Sequence, residues 1–305
     1  MSGEVEINEF LTSRRARLTP EAAGLPLFGR HRRVTGLRRE EVALLAGISV
    51  EYYTRLERGN AAGASREVLD AICDALRLDD AERHHLLDLV ASADVGRPRR
   101  RAVQIGAVRP SIKRLIDAIT GIPAFVGNGR LDILYANEVA RALYSEHLSD
   151  PIKPANSARF AFLNPIARQF YVDWESTTHD IVAALRLQAG RNPFDRDLTE
   201  LIGVLSTRSE EFRKQWARHD VYQHRTGTKT LHHPLVGDML LSFELLDLPA
   251  DPGLTVATYS AEPGSESEAR LQELAQWATT RSELAQRRTS VDRAVGGVRG
   301  PALER

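Results

Sequence analysis

The chain has 305 residues, with 41 basic and 41 acidic side chains and a single cysteine. This length exceeds the usual size of one domain, so we expect two. A hydrophobic fraction of 42% fits a folded, water-soluble chain, and one cysteine excludes an internal disulfide framework. No apolar run approaches the roughly 18 residues of a membrane-spanning helix, and the acidic start MSGEVEINEF does not fit a signal peptide. Composition therefore predicts a cytoplasmic protein without a membrane partner.

Arginine is concentrated near the N-terminus. Between Ser13 and Arg58 there are ten arginines and five glutamates, and the first lysine of the chain is Lys113. A local basic patch is typical of nucleic-acid binding, because a guanidinium group binds phosphate through two parallel hydrogen bonds. A GC-rich coding bias would explain the missing lysines, but it would not explain why the arginines cluster.

Helical periodicity predicts a compact all-α domain over residues 1–93. Ser65 is a good N-cap for its fourth helix, and Cys73 on the apolar face of that helix is expected to be a buried thiol. Five short helices are predicted in this domain, at residues 7–18, 38–46, 49–57, 65–77 and 80–91.

Residues 94–110 are rich in arginine, glycine and proline and predict an interdomain linker. The pattern then changes. Asn128-Gly129 is a hairpin turn signal between two strand-like runs. Strands are predicted at residues 122–127, 131–136, 228–233, 239–247 and 254–260. Helices are predicted at residues 111–120, 137–147, 165–189, 195–206 and 209–219.

The order of two strands, several helices and three strands predicts a second domain over residues 111–265. Short connections favour an antiparallel sheet with helices packed on it. The tail, residues 266–305, is expected to begin as a helix from Ala269 to Leu284 and to fray into a disordered end, VDRAVGGVRGPALER. The predicted fold class is α+β, with an all-α N-terminal domain.

Residues 42–59, VALLAGISVEYYTRLERG, contain two apolar-periodic runs separated by Gly47. Glycine tolerates the positive φ of a tight helix end, and Ser49 is a good N-cap for the second run. Tyr53 and Leu56 are expected to face the core. The opposite face, which would project into a DNA major groove, carries Val50, Glu51, Thr54, Arg55 and Arg58. A structural helical hairpin is the alternative that spacing alone leaves open.

Residues 37–59, LRREEVALLAGISVEYYTRLERG, resemble the helix-turn-helix of the Xre/Cro-repressor family. The five predicted helices match the lambda-repressor-like domain of that family. The resemblance implies base reading by Val50, Glu51, Thr54 and Arg55, and a phosphate contact by Arg58. The predicted DNA-binding residues are Arg38, Arg39, Ser49, Val50, Glu51, Thr54, Arg55 and Arg58.

Three differences from the family pattern prevent transfer of a target sequence. Arg38 stands where Ser, Thr or Asn usually caps the first motif helix, so we expect a weaker cap and a phosphate contact instead. Glu51 cannot accept a hydrogen bond from the edge of guanine, but it can accept one from cytosine N4. Val50 is suited to contact a thymine methyl group.

Over residues 5–265 the chain resembles regulators with an MmyB-like C-terminal domain. The segments that carry this resemblance include VLDAICDAL, FRKQWARHDV, KTLHHPLVGD and YSAEPGS. The resemblance implies a PAS-like ligand-binding domain, and a pocket that accepts an apolar, fatty-acyl-like molecule.

The second domain is rich in aromatic side chains, which line many small-molecule sites but also fill ordinary cores. For His219 a satisfied structural histidine is the alternative to a contact with a ligand carboxylate. For Arg186 an internal salt bridge is the alternative to pairing with an acidic head group. The candidate ligand-binding residues are Phe125, Tyr135, Phe170, Trp174, Arg186, Phe212, Trp216 and His219.

No metal site, cofactor or catalytic site is predicted. His219, His224, His232 and His233 do not have the spacing of standard metal ligands, and no cysteine accompanies them. The chain has no glycine-rich phosphate loop, no nucleophile elbow and no HExxH motif. An enzyme fused to a DNA-binding domain would need a polar cluster that the sequence does not show.

These features predict a nucleoid-associated transcription regulator that binds double-stranded operator DNA as a homodimer. An apolar effector in the second domain would change DNA affinity, with the linker and the helix at 111–120 as the relay. The alternative is a DNA-binding regulator whose second domain only dimerises or binds a protein partner.

Overall fold

A computed structural model describes residues 3–25, 34–93, 107–222 and 225–296. The chain forms two compact units. The first contains Met1–Gln104 and Glu175–His224, and the second contains Ile105–Trp174 and Arg225–Arg305. Most of the predicted linker, residues 94–106, lies outside the described residues.

The helices of the described residues are, in chain order, α1 (Gly3–Arg17), α2 (Arg39–Ala46), α3 (Val50–Glu57), α4 (Arg66–Ala75), α5 (Asp80–Ala93), α6 (Pro110–Asp117), α7 (Glu138–Leu143), α8 (Ser145–Leu148), α9 (Ser157–Leu163), α10 (Ala167–Phe170), α11 (Trp174–Arg191), α12 (Arg196–Arg208), α13 (Glu210–Trp216) and α14 (Glu266–Gly296). The strands are β1 (Ala124–Asn128), β2 (Asp132–Ala136), β3 (Ala155–Asn156), β4 (Thr226–His233), β5 (Gly237–Asp247) and β6 (Leu254–Ser260).

The five helices predicted over the first 93 residues are confirmed as α1–α5. Their apolar faces meet in one core, in which Ile7, Phe10, Tyr53 and Ile72 are completely buried. The side chain of Cys73 is buried as predicted, and burial raises the pKa of its thiol to about 11. A thiol with a raised pKa carries little thiolate at neutral pH, so this cysteine is a core residue.

The turn between α2 and α3 has the predicted chemistry. Gly47 ends α2 with a φ of 65°, and the backbone N–H of Ile48 donates to the carbonyl of Ala43 at 3.0 Å. The side-chain oxygen of Ser49 accepts from the backbone N–H of Tyr52 at 3.1 Å. This N-cap holds the first turn of α3 and fixes where the helix begins.

The cap of α2 differs from the predicted weak one. Arg38 occupies the N-cap position and has no side-chain acceptor. The carboxylate of Glu41, three residues on, accepts from the backbone N–H of Arg38 at 2.6 Å. This contact is one half of a capping box, so α2 begins with a charged acceptor near its positive end.

The second unit is built on a six-stranded sheet in the order β3-β2-β1-β6-β5-β4. Every neighbouring pair of strands is antiparallel, which confirms the predicted sheet. The hairpin predicted at Asn128-Gly129 joins β1 to β2, and Leu131 in its turn has a φ of 66°. The short strand β3 was not predicted.

The prediction of one continuous helix at residues 165–189 is wrong. The structure divides it into α10 and α11 around residues 171–173. Tyr171 forms a β-bridge with Leu231, and the backbone N–H of Val172 donates to the carbonyl of Thr230 at 3.2 Å. The backbone of this segment therefore pairs with β4 and leaves the helical conformation.

Two other predicted segments need correction, and one helix was missed. The helix at 137–147 is divided into α7 and α8, and α9 was not predicted. The cap residue of α9 is Asn156, whose side chain accepts from two backbone N–H groups at 3.0 Å. The tail helix α14 continues to Gly296, beyond the predicted helix end at Leu284 and into the segment from Val291 that was expected to be disordered; residues 297–305 lie outside the described residues.

The helices α11–α13 belong to the first unit from Glu175 onward, although in sequence they interrupt the strands of the second. Leu187 and Val221 are buried in the same apolar core as Phe10 and Leu89. Close packing supports this placement, because a Cβ added to Gly190 of α11 would lie 2.6 Å from the ring of His85 in α5. The N-terminal helices thus share their core with a segment distant in sequence.

Candidate nucleic-acid interface and aromatic cluster

The second helix of the two-helix corner presents a polar, basic surface. A concave surface is lined by Val50, Glu51, Thr54, Arg55, Arg58 and Asn60. Apart from the half-buried Thr54, these side chains are exposed, and Ser49 at the start of α3 is exposed as well. The residues predicted to read bases therefore lie together on one uncovered face, which we call the reading face. Asn60 was not predicted as part of it.

A buried carboxylate anchors α3 to the helices beside it. The side chain of Glu57 is completely buried, and its Oε1 accepts from Nε of Arg15 in α1 at 2.6 Å. Its Oε2 accepts from Nε of Arg39 in α2. The hydroxyl of Tyr53 also contacts this carboxylate, at 3.4 Å, and burial together with the charge of Glu57 raises the pKa of Tyr53. This network fixes the tilt of α3 against α1 and α2.

The arginines predicted to contact DNA occupy different surroundings. Arg39 is half-exposed and paired with Glu57 through Nε, so one edge of its guanidinium is engaged within the protein. Arg38 lies near Glu40, with Nη1 3.3 Å from Oε1. Arg55 is exposed, and its guanidinium carbon lies 4.7 Å from the ring centre of Tyr52. Arg58, at the C-cap of α3, is exposed.

The second unit contains a dense cluster of buried aromatic rings. The hydroxyl of Tyr144 donates to that of Tyr259 at 2.7 Å, and the hydroxyl of Tyr171 lies 2.9 Å from Nε2 of His147. Burial raises the pKa of these tyrosines and lowers the pKa of His147 well below its ordinary value. We call the following set the aromatic cluster: Phe125, Tyr144, His147, Phe160, Phe170, Tyr171, Phe243 and Tyr259.

Only two of the candidate ligand residues, Phe125 and Phe170, belong to the aromatic cluster. The other six members were not among the candidates, including the polar residues Tyr144, His147 and Tyr259. A signal for two of them exists in the sequence, since Tyr144 and His147 are three residues apart, a spacing that places side chains on one face of a helix.

Two other candidates in the second unit have partners outside the cluster. The hydroxyl of Tyr135 donates to Asp117 at 2.7 Å, and this hydrogen bond raises its pKa. The indole N–H of Trp174 donates to the carbonyl of Ala161 at 2.9 Å, and its ring lies 3.7 Å from the guanidinium of Arg168. These contacts account for the polar atoms of both side chains within the protein.

The other four candidates lie in the first unit. Arg186 is buried, and its Nη1 donates to Nδ1 of His219 at 2.9 Å while Nη2 donates to the carbonyl of Trp216. Its guanidinium lies 4.1 Å from the ring of Trp216, which stacks on the completely buried Phe212. Burial lowers the pKa of Arg186 to about 10, and the nearby charge of Glu6 opposes this shift.

The helix predicted at residues 209–219 was expected to include His219, and this part of the prediction is wrong. Helix α13 ends at Trp216, and His219 has a φ of 54° in the segment that follows. Because Nδ1 of His219 accepts from Arg186, the neutral ring carries its proton on Nε2, which lies 3.6 Å from Glu9. Burial, and then the charge of Arg186, lower the pKa of His219 to about 4.

The histidines considered as metal ligands are placed apart or have protein partners. Nδ1 of His232 lies 2.6 Å from Asp238, and Nε2 of His233 lies 3.2 Å from the carbonyl of Ala142. His224 lies outside the described residues. Within residues 3–25, 34–93, 107–222 and 225–296, no three His, Cys, Asp or Glu side chains are grouped to hold a metal ion. Among the helices of those ranges, none has the length and apolarity needed to cross a bilayer.

A five-helix bundle with a two-helix corner, whose second helix exposes arginines, defines a helix-turn-helix protein. A family model described as a helix-turn-helix domain matches residues 11–86. The family model of the MmyB-like transcription regulator ligand binding domain matches residues 108–274. The chain belongs to this family of MmyB-like transcription regulators. It is a DNA-binding transcription regulator, and the predicted family and α+β fold class are confirmed. A comparison with curated proteins returned no match.

Proposed function

We propose that this regulator binds operator DNA through the reading face of α3, and that an apolar, fatty-acyl-like molecule in the ligand-binding domain changes its DNA affinity. The observation that carries the first part is the exposure of the reading face on a helix anchored at Glu57. A rigid, exposed helix with polar and basic side chains is suited to the major groove.

The contacts divide into two kinds. Val50, Glu51, Thr54 and Arg55 read base edges, while Arg58 binds phosphate at the end of α3. Arg38 and Arg39 bind phosphate beside the start of α2, and Ser49 caps α3 at the groove. The pairing of Arg39 with Glu57 supports a backbone contact, because a guanidinium held from one side presents its remaining donors in a fixed direction.

The aromatic cluster supports an apolar effector. Small-molecule sites are lined mainly by hydrophobic and aromatic side chains, with a few polar groups that orient the ligand. Phe125 and Phe170 supply apolar surface, and the hydroxyls of Tyr144, Tyr171 and Tyr259 supply the few polar groups. No metal ion or cofactor is part of the proposal.

A second candidate function has support from the same cluster. The rings of His147 and Phe160 stack with centroids 3.5 Å apart, the hydroxyl of Tyr144 donates to that of Tyr259, and the hydroxyl of Tyr171 contacts His147. A cluster packed in this way is also suited to a domain that only dimerises or binds a protein partner. Native mass spectrometry of the full chain distinguishes the two: a co-purified lipid mass supports the sensor, and its absence together with unchanged DNA affinity in lipid supports the scaffold.

The coupling between effector and DNA is proposed to run through α11–α13. Nη2 of Arg14 in α1 donates to the carbonyl of His219 at 2.5 Å, and Arg17 pairs with Asp220 at 2.5 Å. Arg15, adjacent to Arg14, binds Glu57 of α3. A segment of the ligand-binding family region thus contacts the helix that positions the reading face. A ligand that shifts this segment between two conformations would change DNA affinity by about 5–150-fold.

The assembly and location follow from the DNA target. We propose a homodimer that binds two half-sites about one helical turn apart, which is the usual arrangement for this class of reader. The proposed location is the cytoplasm, in association with the nucleoid.

The test uses the purified full chain in two steps. Selection from a random duplex library, followed by sequencing, is expected to yield a preferred site, and Arg55→Ala is expected to lose about 1–3 kcal/mol at that site with relaxed base preference. Fluorescence anisotropy on that site is then repeated with palmitate. Absence of any preferred site would contradict the DNA part, and unchanged affinity in palmitate would contradict the effector part.

A further inference from the structure

Arg55 has two possible partners on its own helix. It follows Glu51 by four residues, the spacing at which an acidic and a basic side chain pair on a helix. Its guanidinium instead lies over the ring of Tyr52, 4.7 Å from the centroid. Within the part of the chain that the structure describes, no ion pair joins Glu51 to Arg55. Arg55 is therefore held by an aromatic ring and not by the neighbouring carboxylate.

The ring of Tyr52 is a fixed platform. Its backbone N–H donates to the capping oxygen of Ser49, and its side chain is half-buried against the apolar core of the first unit. The next residue, Tyr53, is completely buried and contacts Glu57. Because the ring of Tyr52 packs against this core while the side chain of Arg55 is exposed, the ring has less freedom and positions Arg55.

This arrangement keeps both reading side chains available. An arginine stacked on a ring uses the face of its guanidinium, while guanine is recognised through the in-plane N–H donors. A carboxylate that is not neutralised by arginine keeps its acceptors for cytosine N4. If Glu51 and Arg55 paired with each other, the pair would occupy the N–H donors of Arg55 and the carboxylate oxygens of Glu51 that base reading requires.

We propose that Tyr52 is a positioning residue for sequence reading: it holds Arg55 away from Glu51, so that Arg55 reads a guanine and Glu51 reads a cytosine at separate positions of the operator. The inference rests on the proposed function, because it assumes that the reading face meets base edges. It adds the chemistry of the target, a site with both bases exposed to α3 in the major groove.

The experiment compares Tyr52→Phe and Tyr52→Leu in the full chain by library selection and by anisotropy on the selected site. Phenylalanine keeps the ring, so base preferences are expected to stay as in the unmodified chain. Leucine removes the ring, and the ratio of specific to non-specific affinity is expected to fall about two- to fivefold. Affinity for random duplex is expected to be unchanged, because the phosphate contacts remain. The guanine preference is the readout, since a general loss of structure would weaken all DNA equally.

A double variant tests the competition with Glu51. In the presence of Tyr52, Glu51→Gln is expected to relax the cytosine position and leave the guanine preference unchanged. In the Tyr52→Leu background the same change is expected to restore part of the guanine preference, because Arg55 loses the carboxylate that would capture it. Thermal unfolding checks each variant, and Tyr52→Met, which keeps the bulk without the ring, replaces Tyr52→Leu if the latter is unfolded.

The outcomes separate this inference from the proposed function. If Tyr52→Leu or Tyr52→Met keeps the full guanine preference while Arg55→Ala loses it, Tyr52 does not position Arg55, and the reading face stands. If neither the unmodified chain nor Arg55→Ala shows any base preference, the proposed function itself fails. If Glu51→Gln does not restore any guanine preference in the Tyr52→Leu background, Glu51 does not compete for Arg55, and that part of the inference fails.

Discussion

Arg15 of α1 and Glu57 of α3 meet inside the first unit, with Nε and Oε1 2.6 Å apart and the carboxylate completely buried. Arg39 of α2 binds the other oxygen of the same carboxylate. One acidic side chain therefore connects three helices and fixes the placement of the proposed reading face.

The first prediction concerns this buried carboxylate. Glu57→Gln keeps the side-chain volume but leaves Arg15 and Arg39 without an ionic partner, and breaking a buried pair costs about 3–5 kcal/mol. Urea unfolding followed by circular dichroism is expected to show a large decrease in the midpoint urea concentration at which the first unit unfolds. The control is Glu210→Gln, which removes the partner of Lys214 on the exposed surface of α13. It is expected to leave the unfolding midpoint unchanged. Equal effects of the two changes would contradict the anchoring role.

The second prediction separates phosphate contacts from base reading. Arg58 is exposed at the C-cap of α3, and Arg58→Ala is expected to weaken binding to all duplexes by a similar factor. The slope of log affinity against log salt is expected to decrease by about one unit, because one fewer phosphate is neutralised. Titrations at several salt concentrations, on the selected site and on random duplex, measure both quantities. A loss confined to the selected site would instead make Arg58 a base reader.

The third prediction tests the packing of α11 against α5. A Cβ on Gly190 would lie 2.6 Å from the buried ring of His85, whereas a Cβ on Gly203 of α12 meets no atom within 4 Å. Gly190→Ala is therefore expected to destabilise the first unit by about 1–3 kcal/mol through overpacking. Gly203→Ala is expected to stabilise it by about 0.4–1 kcal/mol, because alanine restricts the unfolded chain.

Urea unfolding of the two alanine variants provides the comparison, since both changes are the same in chemistry and lie on helices of one unit. The proposed coupling adds a second readout: palmitate is expected to shift DNA affinity less in Gly190→Ala than in Gly203→Ala. Stabilisation of both variants would show that α11 does not pack on His85.

The fourth prediction is a pH dependence centred on His219. Its pKa is lowered from 6.5 to about 4 in the folded chain, so between these values the unfolded chain binds more protons. The free energy of unfolding is therefore expected to fall as the pH decreases from 6.5 towards 4, by on the order of 1 kcal/mol per pH unit from this group alone. His85, whose pKa burial lowers to about 3, contributes with the same sign. Glu6 and Glu82 oppose it, since burial raises the pKa of each carboxyl.

His219→Gln isolates the contribution of His219, because the amide oxygen can still accept from Arg186 but does not titrate. Hydrogen exchange in α1 and α13, followed between pH 4 and 6.5, is expected to show a smaller loss of protection for the variant. The same pH dependence in both chains would assign the effect to other titrating groups, among them His85, whose pKa burial also lowers.

The two-helix corner of α2 and α3 was predictable because its sequence signals are local. Gly47, Ser49, Tyr53 and Leu56 each carry a preference for one turn or one face, and the structure uses all four as expected. Glu57 was not predicted as an anchor, because periodicity assigns a face to a residue but does not identify a charged partner. The available signal was an acidic residue directly after Leu56, on the side of α3 that faces the core.

The placement of α11–α13 could not be predicted from periodicity. The apolar pattern shows that Leu187 has to be buried, but not which helices bury it, and α1 is more than 150 residues away in the chain. The division of the helix at 165–189 has a similar origin. The β-bridge between Tyr171 and Leu231 is a long-range contact that overrides a local helical preference.

The β-bridge at Tyr171 also affects the exposed edge of the sheet at β4. The two edge strands are β3, with two residues, and β4, with eight. The outer side of β4 would expose unpaired backbone groups that a strand of another chain could pair with. The backbone of Tyr171 and Val172 occupies this edge at Leu231 and Thr230. Long exposed edges invite aggregation, and native chains often cover them. Two copies of this regulator therefore cannot pair along the whole length of β4 unless the segment at Tyr171 is displaced.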